Sequence, residues 1–354
     1  MEENIRIKDI AEKAGVSVGT VDRVLHKRPN VSEESRKKVE KVLNEINYRP
    51  NMYASALARG MKYVFHCMIP RHDSEAYWEE IEEGVNKACE VRRDFNITTN
   101  IVYYERFDDA SFRSCCQKCI DEETQGVIIV SAEQKITKEF TDTLHSKNIP
   151  FVLLDSFIPD LNPLSFYGQD SFRSGGFAAR MLMLLASSET EIMMMKQTKD
   201  GEVASRQQNN RQVGFKHYMR NHFPEIKITE LDLPLDSDSK QYDEILTSFF
   251  EEHPNVHHCI TFNSKAYIIG EFLLKNNLRN VQIMGYDVVE RNRNCLEQGA
   301  ISFLLAQHVY MQGYYCVESL FKAIILKEKV DPINYMPIEL LTRENIEFYR
   351  REQL

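Results

Sequence analysis

A chain of 354 residues is too long for one small domain, and its charge is divided unevenly along its length. Residues 1–62 hold 13 Lys and Arg against 9 Asp and Glu, whereas the remainder holds 31 against 44. The N-terminus, MEENIRIK, is charged throughout and no run of 18 apolar residues follows, so we expect a cytoplasmic protein without a signal peptide or a membrane span. The charge division predicts a basic unit followed by an acidic body.

The first 26 residues contain the pattern of two short helices joined by a tight turn. The segment IKDIAEKA, residues 7–14, repeats apolar side chains at helical spacing, and Gly15 supplies the left-handed residue that ends such a helix. Ser17 is placed to cap a second helix over residues 18–26, because its hydroxyl can accept from the free amides of the first turn. This order is the helix-turn-helix pattern, in which the second helix enters the major groove of DNA.

A third helix and a short linker follow. Ser32 is a further cap, and the apolar residues of VSEESRKKVEKVLNEI fall on one helical face that closes a three-helix core. Pro50 prevents helical continuation, and MYASALARG after it forms a segment with little stability of its own. We therefore predict a DNA-binding domain over residues 1–50 and a hinge over residues 51–61.

From Tyr63 onward, short apolar or β-branched runs alternate with amphipathic helices, which predicts two lobes, each a parallel sheet covered on both faces. The first lobe is expected to hold strands at 63–70, 96–105, 126–132 and 150–156, and to end with SFYGQD, residues 165–170, which opens the helix GGFAARMLMLLA. The second lobe is expected to hold strands at 191–197, 228–234, 257–263 and 281–287, and to end with a long helix at 311–327. The fold class is α/β, with the two lobes spanning residues 62–345.

The last segment, PIELLTRENIEFYRREQL, predicts a final strand and a charged helix, with residues 346–354 as a tail. It contains no leucine heptad, so we expect a homodimer rather than a tetramer.

Polar side chains follow four of the predicted strands: Asp155, Asn263, Asp287 and Gln307. Ligands of such sheets bind at the carboxyl ends of the strands, and a cleft between two lobes is the expected site. Carboxylates and amides pair the hydroxyls of a sugar, and Tyr77 with Trp78, the only tryptophan, can present a flat face to a pyranose ring. The alternative is that the two aspartates cap helices or anchor loops and that Trp78 belongs to the core.

The combination of IKDIAEKAGVS, TVDRVL, VSEESRKKVEKVLNEINYRPN and A-x-x-L-A resembles the LacI/GalR family of bacterial repressors. The resemblance implies that the hinge folds on operator DNA and that Leu57 is wedged between base pairs of the minor groove. The DNA-binding residues that it implies are Ser17, Val18, Gly19, Thr20, Arg23, Asn30, Asn51 and Leu57. Two departures limit the match: Asp22 replaces the usual Ser, and Gly19 offers no side chain to a base, so the operator sequence does not carry over.

The body resembles the type I periplasmic sugar-binding-protein fold as far as about residue 345. This resemblance implies ligand contacts at Tyr77, Trp78, Asp155, Arg211, Asn263, Asp287 and Gln307, and it alone identifies Arg211, in NNRQVGF. Ser264 departs from the Asp that commonly follows this Asn. Arg71, His72 and Glu75 add charge to the first loop, either as a solvated surface or as a site for an acidic or amino sugar.

No metal or cofactor site is expected. Cys116-x-x-Cys119 has no second pair at zinc-finger spacing, His253, His257 and His258 lie in a loop, and Met193 to Met195 form a buried strand.

Taken together, these features predict a transcriptional regulator, specifically a repressor, that binds an operator as a two-fold dimer and responds to a carbohydrate-type effector. Whether the effector weakens or strengthens DNA binding is open. A nucleobase or nucleoside is the alternative effector. An enzyme on the same fold is a distant alternative, because no nucleotide-binding or nucleophile motif occurs.

Overall fold

The computed structural model describes residues 7–25, 28–46, 60–72, 76–186, 188–203 and 205–350. The chain forms two compact units, Met1–Arg59 and Gly60–Leu354. Residues 51–59 of the predicted hinge lie outside the described ranges.

The first unit is a three-helix core. Its helices are α1 (Ile7–Ala14), α2 (Val18–Leu25) and α3 (Glu33–Glu45). The backbone amides of Thr20 and Ser35 donate to the hydroxyls of Ser17 and Ser32, at 3.1 and 3.2 Å, so both predicted caps are present. The side chains buried between the helices are Ile10, Ala11, Ala14, Val21, Val24, Val39 and Val42. The helix-turn-helix order predicted from apolar spacing is confirmed.

The second unit contains two sheets, each the centre of one lobe. The sheet of the first lobe has six parallel strands in the order β12-β5-β4-β3-β1-β2. These strands are β1 (Tyr63–Pro70), β2 (Ile97–Tyr104), β3 (Gly126–Val130), β4 (Phe151–Leu154), β5 (Ser165–Gly168) and β12 (Asn334–Tyr335). Helices α4 (Ala76–Val91), α5 (Asp109–Asp121) and α6 (Gln134–Ser146) alternate with them.

The sheet of the second lobe has seven strands in the order β13-β11-β10-β9-β6-β7, with β8 also paired to β6. They are β6 (Glu191–Lys199), β7 (Glu202–Val203), β8 (Lys227–Pro234), β9 (His258–Thr261), β10 (Gln282–Tyr286), β11 (Ile301–Ala306) and β13 (Glu339–Leu341). Its helices are α7 (Ser171–Leu185), α8 (Arg206–His222), α9 (Ser239–Glu252), α10 (Tyr267–Lys275) and α11 (Glu290–Glu297). Strands β7 and β13 run antiparallel to their neighbours, and the other pairs are parallel as predicted.

The chain crosses between the lobes three times, and this corrects the placement of two helices. Helix α7 follows β5 of the first sheet but packs on α8 in the second lobe. The last long helix, α12 (Val309–Leu320), continues as a π-helical segment over Phe321–Leu326 and packs on α4 in the first lobe. Each was expected in the other lobe, because a helical pattern identifies a buried face and not the sheet that covers it. The third crossing joins β12 to β13.

Reciprocal glycines hold each of these helix pairs close together. A Cβ on Gly175 would overlap the backbone carbonyl of Arg211 across the α7–α8 contact. A Cβ on Gly214 would overlap the carbonyl of Phe172 in the same way. In the first lobe, Gly84 and Gly313 meet the carbonyls of Tyr310 and Ile81 in the same way across the α4–α12 contact.

The C-terminal segment differs from its prediction. Strand β13 is present, but the charged helix is reduced to one 3₁₀ turn, Ile346–Phe348, within the residues described up to Arg350. Across the described ranges, no helix is long and apolar enough to cross a bilayer.

Candidate functional site

Two aspartates occupy equivalent strand ends, one in each lobe. Asp155 follows β4 and Asp287 follows β10, and both side chains are buried, with relative exposures of 7% and 6%. Both residues adopt left-handed backbone conformations, with φ of 72° and 69°. The amide of each donates to the neighbouring strand, Asp155 to the Tyr167 carbonyl at 2.8 Å and Asp287 to the Leu305 carbonyl at 2.9 Å. The sheets therefore end in the same way at the cleft.

Asp155 accepts hydrogen bonds from three side chains. The Tyr77 hydroxyl and the Gln207 amide, at 3.1 Å, donate to Oδ1, and the Ser156 hydroxyl donates to Oδ2 at 3.0 Å. Burial raises the pKa of Asp155 above its ordinary value, and the bond from Tyr77 and the charge of Arg211 oppose that shift. Because Tyr77 lies on α4 and Gln207 on α8, this carboxylate joins the two lobes.

Asp287 belongs to a chain of polar groups that contains Gln307 and Arg211. The Gln307 amide donates to Asp287 Oδ1 at 2.7 Å, and the Gln307 carbonyl oxygen accepts from Arg211 Nη2 and from Gln207 Nε2. Burial raises the pKa of Asp287 to about 6, although Arg211 and the bond from Gln307 both favour the ionised form.

Arg211 is one of the largest fully buried side chains, with 1% exposure. Its Nη1 donates to the Phe262 carbonyl at 2.9 Å, and its guanidinium lies 4.1 Å from the centre of the Tyr286 ring. Among the described residues its Nε has no hydrogen-bond partner. A buried donor without an acceptor is costly, so an oxygen supplied by a ligand would satisfy it.

Asn263 lies at the end of β9 in an amide cluster. Its Nδ2 donates to Gln208 Oε1 at 3.0 Å and to Gln197 Oε1 at 3.2 Å, while its Oδ1 accepts from the Lys265 amide at 3.0 Å. This cluster fixes the orientation of the asparagine amide.

Tyr77 and Trp78 begin helix α4 and are both buried, with 8% and 7% exposure. Their rings meet edge to face at 4.9 Å between centroids. Burial and the neighbouring Asp155 carboxylate raise the pKa of Tyr77 well above its ordinary value, so the hydroxyl remains a donor.

The predicted ligand residues come together in one region. Six of them line a single cavity: Tyr77, Trp78, Asp155, Arg211, Asn263 and Asp287. The seventh, Gln307, bonds to Asp287 and Arg211 beside that cavity.

Sequence reasoning missed several other residues that line the same cavity: Arg106, Gln197, Ser205, Gln207, Gln208 and Lys265. Gln197 ends the EIMMMKQ run, and the strand-end rule applied there would have found it. Gln207 and Gln208 lie in the first turn of α8, directly after the capping residue Ser205.

The charged residues described in the first loop contact glutamate side chains. Arg71 Nε lies 2.5 Å from Glu105 Oε1 with both side chains about half exposed, and His72 lies 3.6 Å from Glu82. Glu75 is outside the described residues. The solvated-surface interpretation therefore suits Arg71, whereas the His72 side chain is only 9% exposed.

In the first unit, the predicted DNA-binding residues that the structure describes lie on and next to α2. Ser17, Val18, Gly19, Arg23 and Asn30 are exposed, and Thr20 is half-buried with its hydroxyl 2.9 Å from that of Ser17. Asp22 forms an ion pair with Arg28 at 3.1 Å, which offsets its unfavourable charge beside phosphates. Asn51 and Leu57 lie outside the described residues.

The candidate metal ligands rejected from the sequence take part in packing and ion pairs. Cys116 and Cys119 are buried in the core of the first lobe, and burial raises the pKa of each thiol to about 12. His253 and His258 lie 3.1 and 3.2 Å from Glu191 and Glu189. No group of three metal-ligating side chains was found within the described part of the chain.

Family comparisons match both units of the chain. Residues 6–51 match the family described as bacterial regulatory proteins, lacI family, and residues 65–329 match the periplasmic binding protein domain. The second match covers most of the chain.

Individual proteins agree with these matches. A proposed LacI transcriptional regulator from Bacteroides fragilis has a solved structure that is 43% identical, with a TM-score of 0.79 over 82% of this chain and 100% of that one. A glucose-galactose binding protein, GanP, from Geobacillus stearothermophilus is 17% identical with a TM-score of 0.70 over 81% of this chain and 99% of its own, a likeness of fold alone.

Among curated relatives, the Bacillus subtilis (strain 168) protein named Probable HTH-type transcriptional repressor ExuR is 31% identical over 160 residues. That alignment covers 44% of this chain and 44% of the relative. The chain thus spans about half the length of such curated relatives.

Proposed function

Because the chain belongs to the LacI family of bacterial regulatory proteins and carries a periplasmic binding protein domain, we propose that it is a transcriptional repressor controlled by a small carbohydrate-type effector. The observation that carries the effector half is the network of Asp155, Gln207, Gln307, Arg211 and Asp287. It concentrates buried donors and acceptors from both lobes in one cleft.

The chemistry of this network suits a polyhydroxylated ligand. Each sugar hydroxyl donates one hydrogen bond and accepts others, so carboxylates, amides and a guanidinium can pair it with few groups left unsatisfied. Gln207 spans from Asp155 Oδ1 to Gln307 Oε1, at 3.1 and 3.0 Å, as a bridging hydroxyl would. We assign the direct contacts to Tyr77, Trp78, Asp155, Arg211, Asn263, Asp287 and Gln307.

The effector can control DNA binding only if its affinity differs between two arrangements of the lobes. An effector that binds one arrangement of the lobes better than another shifts the equilibrium between them, by about 1 to 3 kcal/mol in typical allosteric systems. We propose that the protein acts as two copies of the chain and that the arrangement of the lobes in one copy affects the other. The two recognition helices bind a pseudo-palindromic operator. No chemical turnover of the effector is part of this function.

The effector is tested by thermal unfolding of the purified protein against sugars, sugar acids, sugar phosphates and nucleosides. A ligand present at 100 times its dissociation constant adds about 2.7 kcal/mol to the free energy of unfolding. Arg211→Ala should abolish the shift, whereas Arg220→Ala, an exposed arginine on the same helix, should preserve it. A shift from nucleosides alone would replace the sugar with the alternative effector, and recovery of an altered ligand would contradict the non-enzymatic function.

The DNA half is tested by selecting duplexes from a random pool. We expect enrichment of a two-fold symmetric sequence, and Arg23→Ala should weaken its binding by about 1 to 3 kcal/mol. Lys37→Ala, an exposed lysine on α3, serves as the control. Absence of any enriched sequence would refute the regulator function even if a sugar binds.

A further inference from the structure

The cleft has two compartments that share a wall. The inner compartment is the cavity described above, which contains Arg211, Asn263 and Asp287. The outer compartment lies beside it and is the larger of the two. Four residues line both: Trp78, Arg106, Asp155 and Ser205. A ligand held in the inner compartment can therefore extend past Trp78 into the larger outer space.

The two compartments differ in chemistry. The inner one is lined mainly by amide, carboxylate and guanidinium groups, whereas the outer one has a set of apolar and aromatic side chains: Pro70, Tyr104, Phe107, Val130, Ala132 and Val203. Five acids also line the outer compartment: Glu105, Asp108, Asp109, Glu133 and the shared Asp155. Glu105 pairs with Arg71, and two of the others cap helices. Asp108 accepts from the amides of Ala110 and Ser111, and Glu133 accepts from the amide of Ile136. The outer compartment therefore offers more apolar surface than the inner one, and this surface lies beside charged groups.

Phe107 is the most unusual residue of the outer compartment. Its side chain is 51% exposed and its backbone is left-handed, with φ of 64°. A large aromatic residue in this conformation is strained, and such strain is characteristic of ligand-binding segments. Its ring lies 5.1 Å from the Lys199 ammonium and 5.5 Å from the Arg106 guanidinium.

The contacts of the outer compartment come from both lobes. Phe107 follows β2 in the first lobe, while Lys199 ends β6 in the second. Arg206 of α8 likewise donates to Gln134 of α6 at 2.8 Å across the cleft. A group bound between these elements would touch both lobes and would add to the contacts that hold them together.

We propose that the effector is a glycoside, with its sugar ring in the inner compartment and a second ring, presenting a flat apolar face, against Phe107 and Trp78 in the outer one. Aromatic side chains stack on such faces. The second ring can be another sugar or an aryl group, since both offer this chemistry. The inference rests on the proposed sugar-binding function and specifies the class of its ligand.

The test compares one-ring and two-ring probes by isothermal titration of the full chain. The probes are built on the sugar that the thermal-unfolding panel identifies. For D-glucose they are methyl β-D-glucoside, phenyl β-D-glucoside and cellobiose, and equivalent sets are made for D-galactose or any other sugar found. We expect a two-ring probe to bind roughly tenfold more tightly than the methyl glycoside of the same sugar, as expected for one well-placed aromatic contact. A gain with cellobiose or its galactose counterpart identifies a second sugar, and a gain with the phenyl probe identifies an aryl group.

Phe107→Ala should remove that roughly tenfold gain, while Phe107→Tyr, which keeps the ring, should retain it. Phe348→Ala is the matched control, because Phe348 is 69% exposed and lines neither compartment. Equal affinities for one-ring and two-ring probes would overturn the inference and leave sugar binding intact. Equal weakening of every probe by Phe107→Ala would also overturn it. Failure of every two-ring probe to bind while the parent sugar still binds would overturn the glycoside and leave the sugar function intact, whereas a thermal-unfolding panel in which no sugar binds would refute both.

Discussion

Each lobe places a buried aspartate at the end of a strand, but the hydrogen-bonding and charged groups around the two aspartates differ. Asp155 and Asp287 share a strand-end position, a left-handed backbone and nearly complete burial. Asp155 accepts from Tyr77, Gln207 and Ser156, whereas the side-chain donor found for Asp287 within the described residues is Gln307. A strand end thus fixes where a carboxylate lies, and its partners decide how readily it ionises.

The glycine contacts extend the comparison to the helices beside the cleft. The α7–α8 pair of the second lobe and the α4–α12 pair of the first each depend on two glycines that face carbonyl groups. In the second lobe one of those carbonyls belongs to Arg211, so helix packing and ligand recognition meet at a single residue.

The largest expected effect comes from Gly175→Ala. The new methyl group meets backbone that cannot move without separating α7 from α8, so the free energy of unfolding should fall by about 3 kcal/mol. Effector affinity should fall as well, because Arg211 shifts. Gly176→Ala is the control, since a Cβ there has its nearest neighbours at 3.8 to 3.9 Å. Denaturant titration and calorimetry measure both quantities, and equal behaviour of the two variants would break the link between packing and site.

Replacing each of the two aspartates with alanine should lower the free energy of unfolding by different amounts. Asp155→Ala leaves three donors without their acceptor and should cost about 3 kcal/mol of stability, whereas Asp287→Ala leaves one and should cost about 1 kcal/mol. The left-handed backbone penalises alanine equally at both sites, so it cancels in the difference. The measurement is chemical unfolding at about pH 4, where the buried carboxyl of Asp287 is protonated in the folded state and its charge adds no cost. Equal costs would mean that hydrogen bonding does not distinguish the lobes.

The pH dependence should depend on Asp287. Its pKa is raised by burial from 3.8 to about 6, so the folded state holds a proton that the unfolded state has released. Stability from this group is therefore fully present below about pH 4 and is lost as the pH rises through about 6. Between about pH 4.5 and 6 the loss should reach about 2 kcal/mol, since one pH unit corresponds to about 1.4 kcal/mol.

Asp287→Asn should flatten the stability profile in this range, and Asp160→Asn, at an exposed aspartate that also has a left-handed backbone, should not. Thermal melts at closely spaced pH values test this prediction. Superimposable profiles for Asp287→Asn and the unchanged protein would contradict it.

The smallest expected effect is the difference in stability cost between two tyrosine-to-phenylalanine variants. Tyr77→Phe removes a donor to a carboxylate and should cost about 1.5 kcal/mol, while Tyr286→Phe removes a neutral bond to Ser174, at 2.9 Å, and should cost about 0.5 kcal/mol. Chemical unfolding of the two variants measures the difference. A larger cost at Tyr286 would indicate that the neutral bond to Ser174 contributes more to stability than the bond from Tyr77 to the carboxylate.

Much of this site follows from the sequence, because strand ends are encoded locally. Asp155, Asn263, Asp287 and Gln307 each follow an apolar run, and the common edge of a parallel sheet brings such residues together. Arg211 is different: it lies within a polar helix, and only the family resemblance marks it as a ligand residue. Its side chain contacts Phe262, Tyr286 and Gln307, which lie far along the chain and which no local pattern around Arg211 predicts.

The outer compartment could not be predicted from local sequence patterns. Phe107 stands alone between charged residues, in a segment with no periodicity, so nothing in its neighbourhood predicts a left-handed backbone or a contact with Lys199. Its contact with Lys199 joins residues that lie nearly a hundred positions apart in the chain.

The three crossings also set the order in which the protein can be completed during synthesis. Helix α12 and strand β12, which finish the first lobe, lie beyond residue 308, after nearly all of the second lobe has been made. A ribosome-bound chain that ends before them exposes the apolar surfaces of α4 and β5 that they cover. The first lobe is thus begun early but finished late, and contacts between such distant segments slow folding and prolong the interval in which the chain can aggregate.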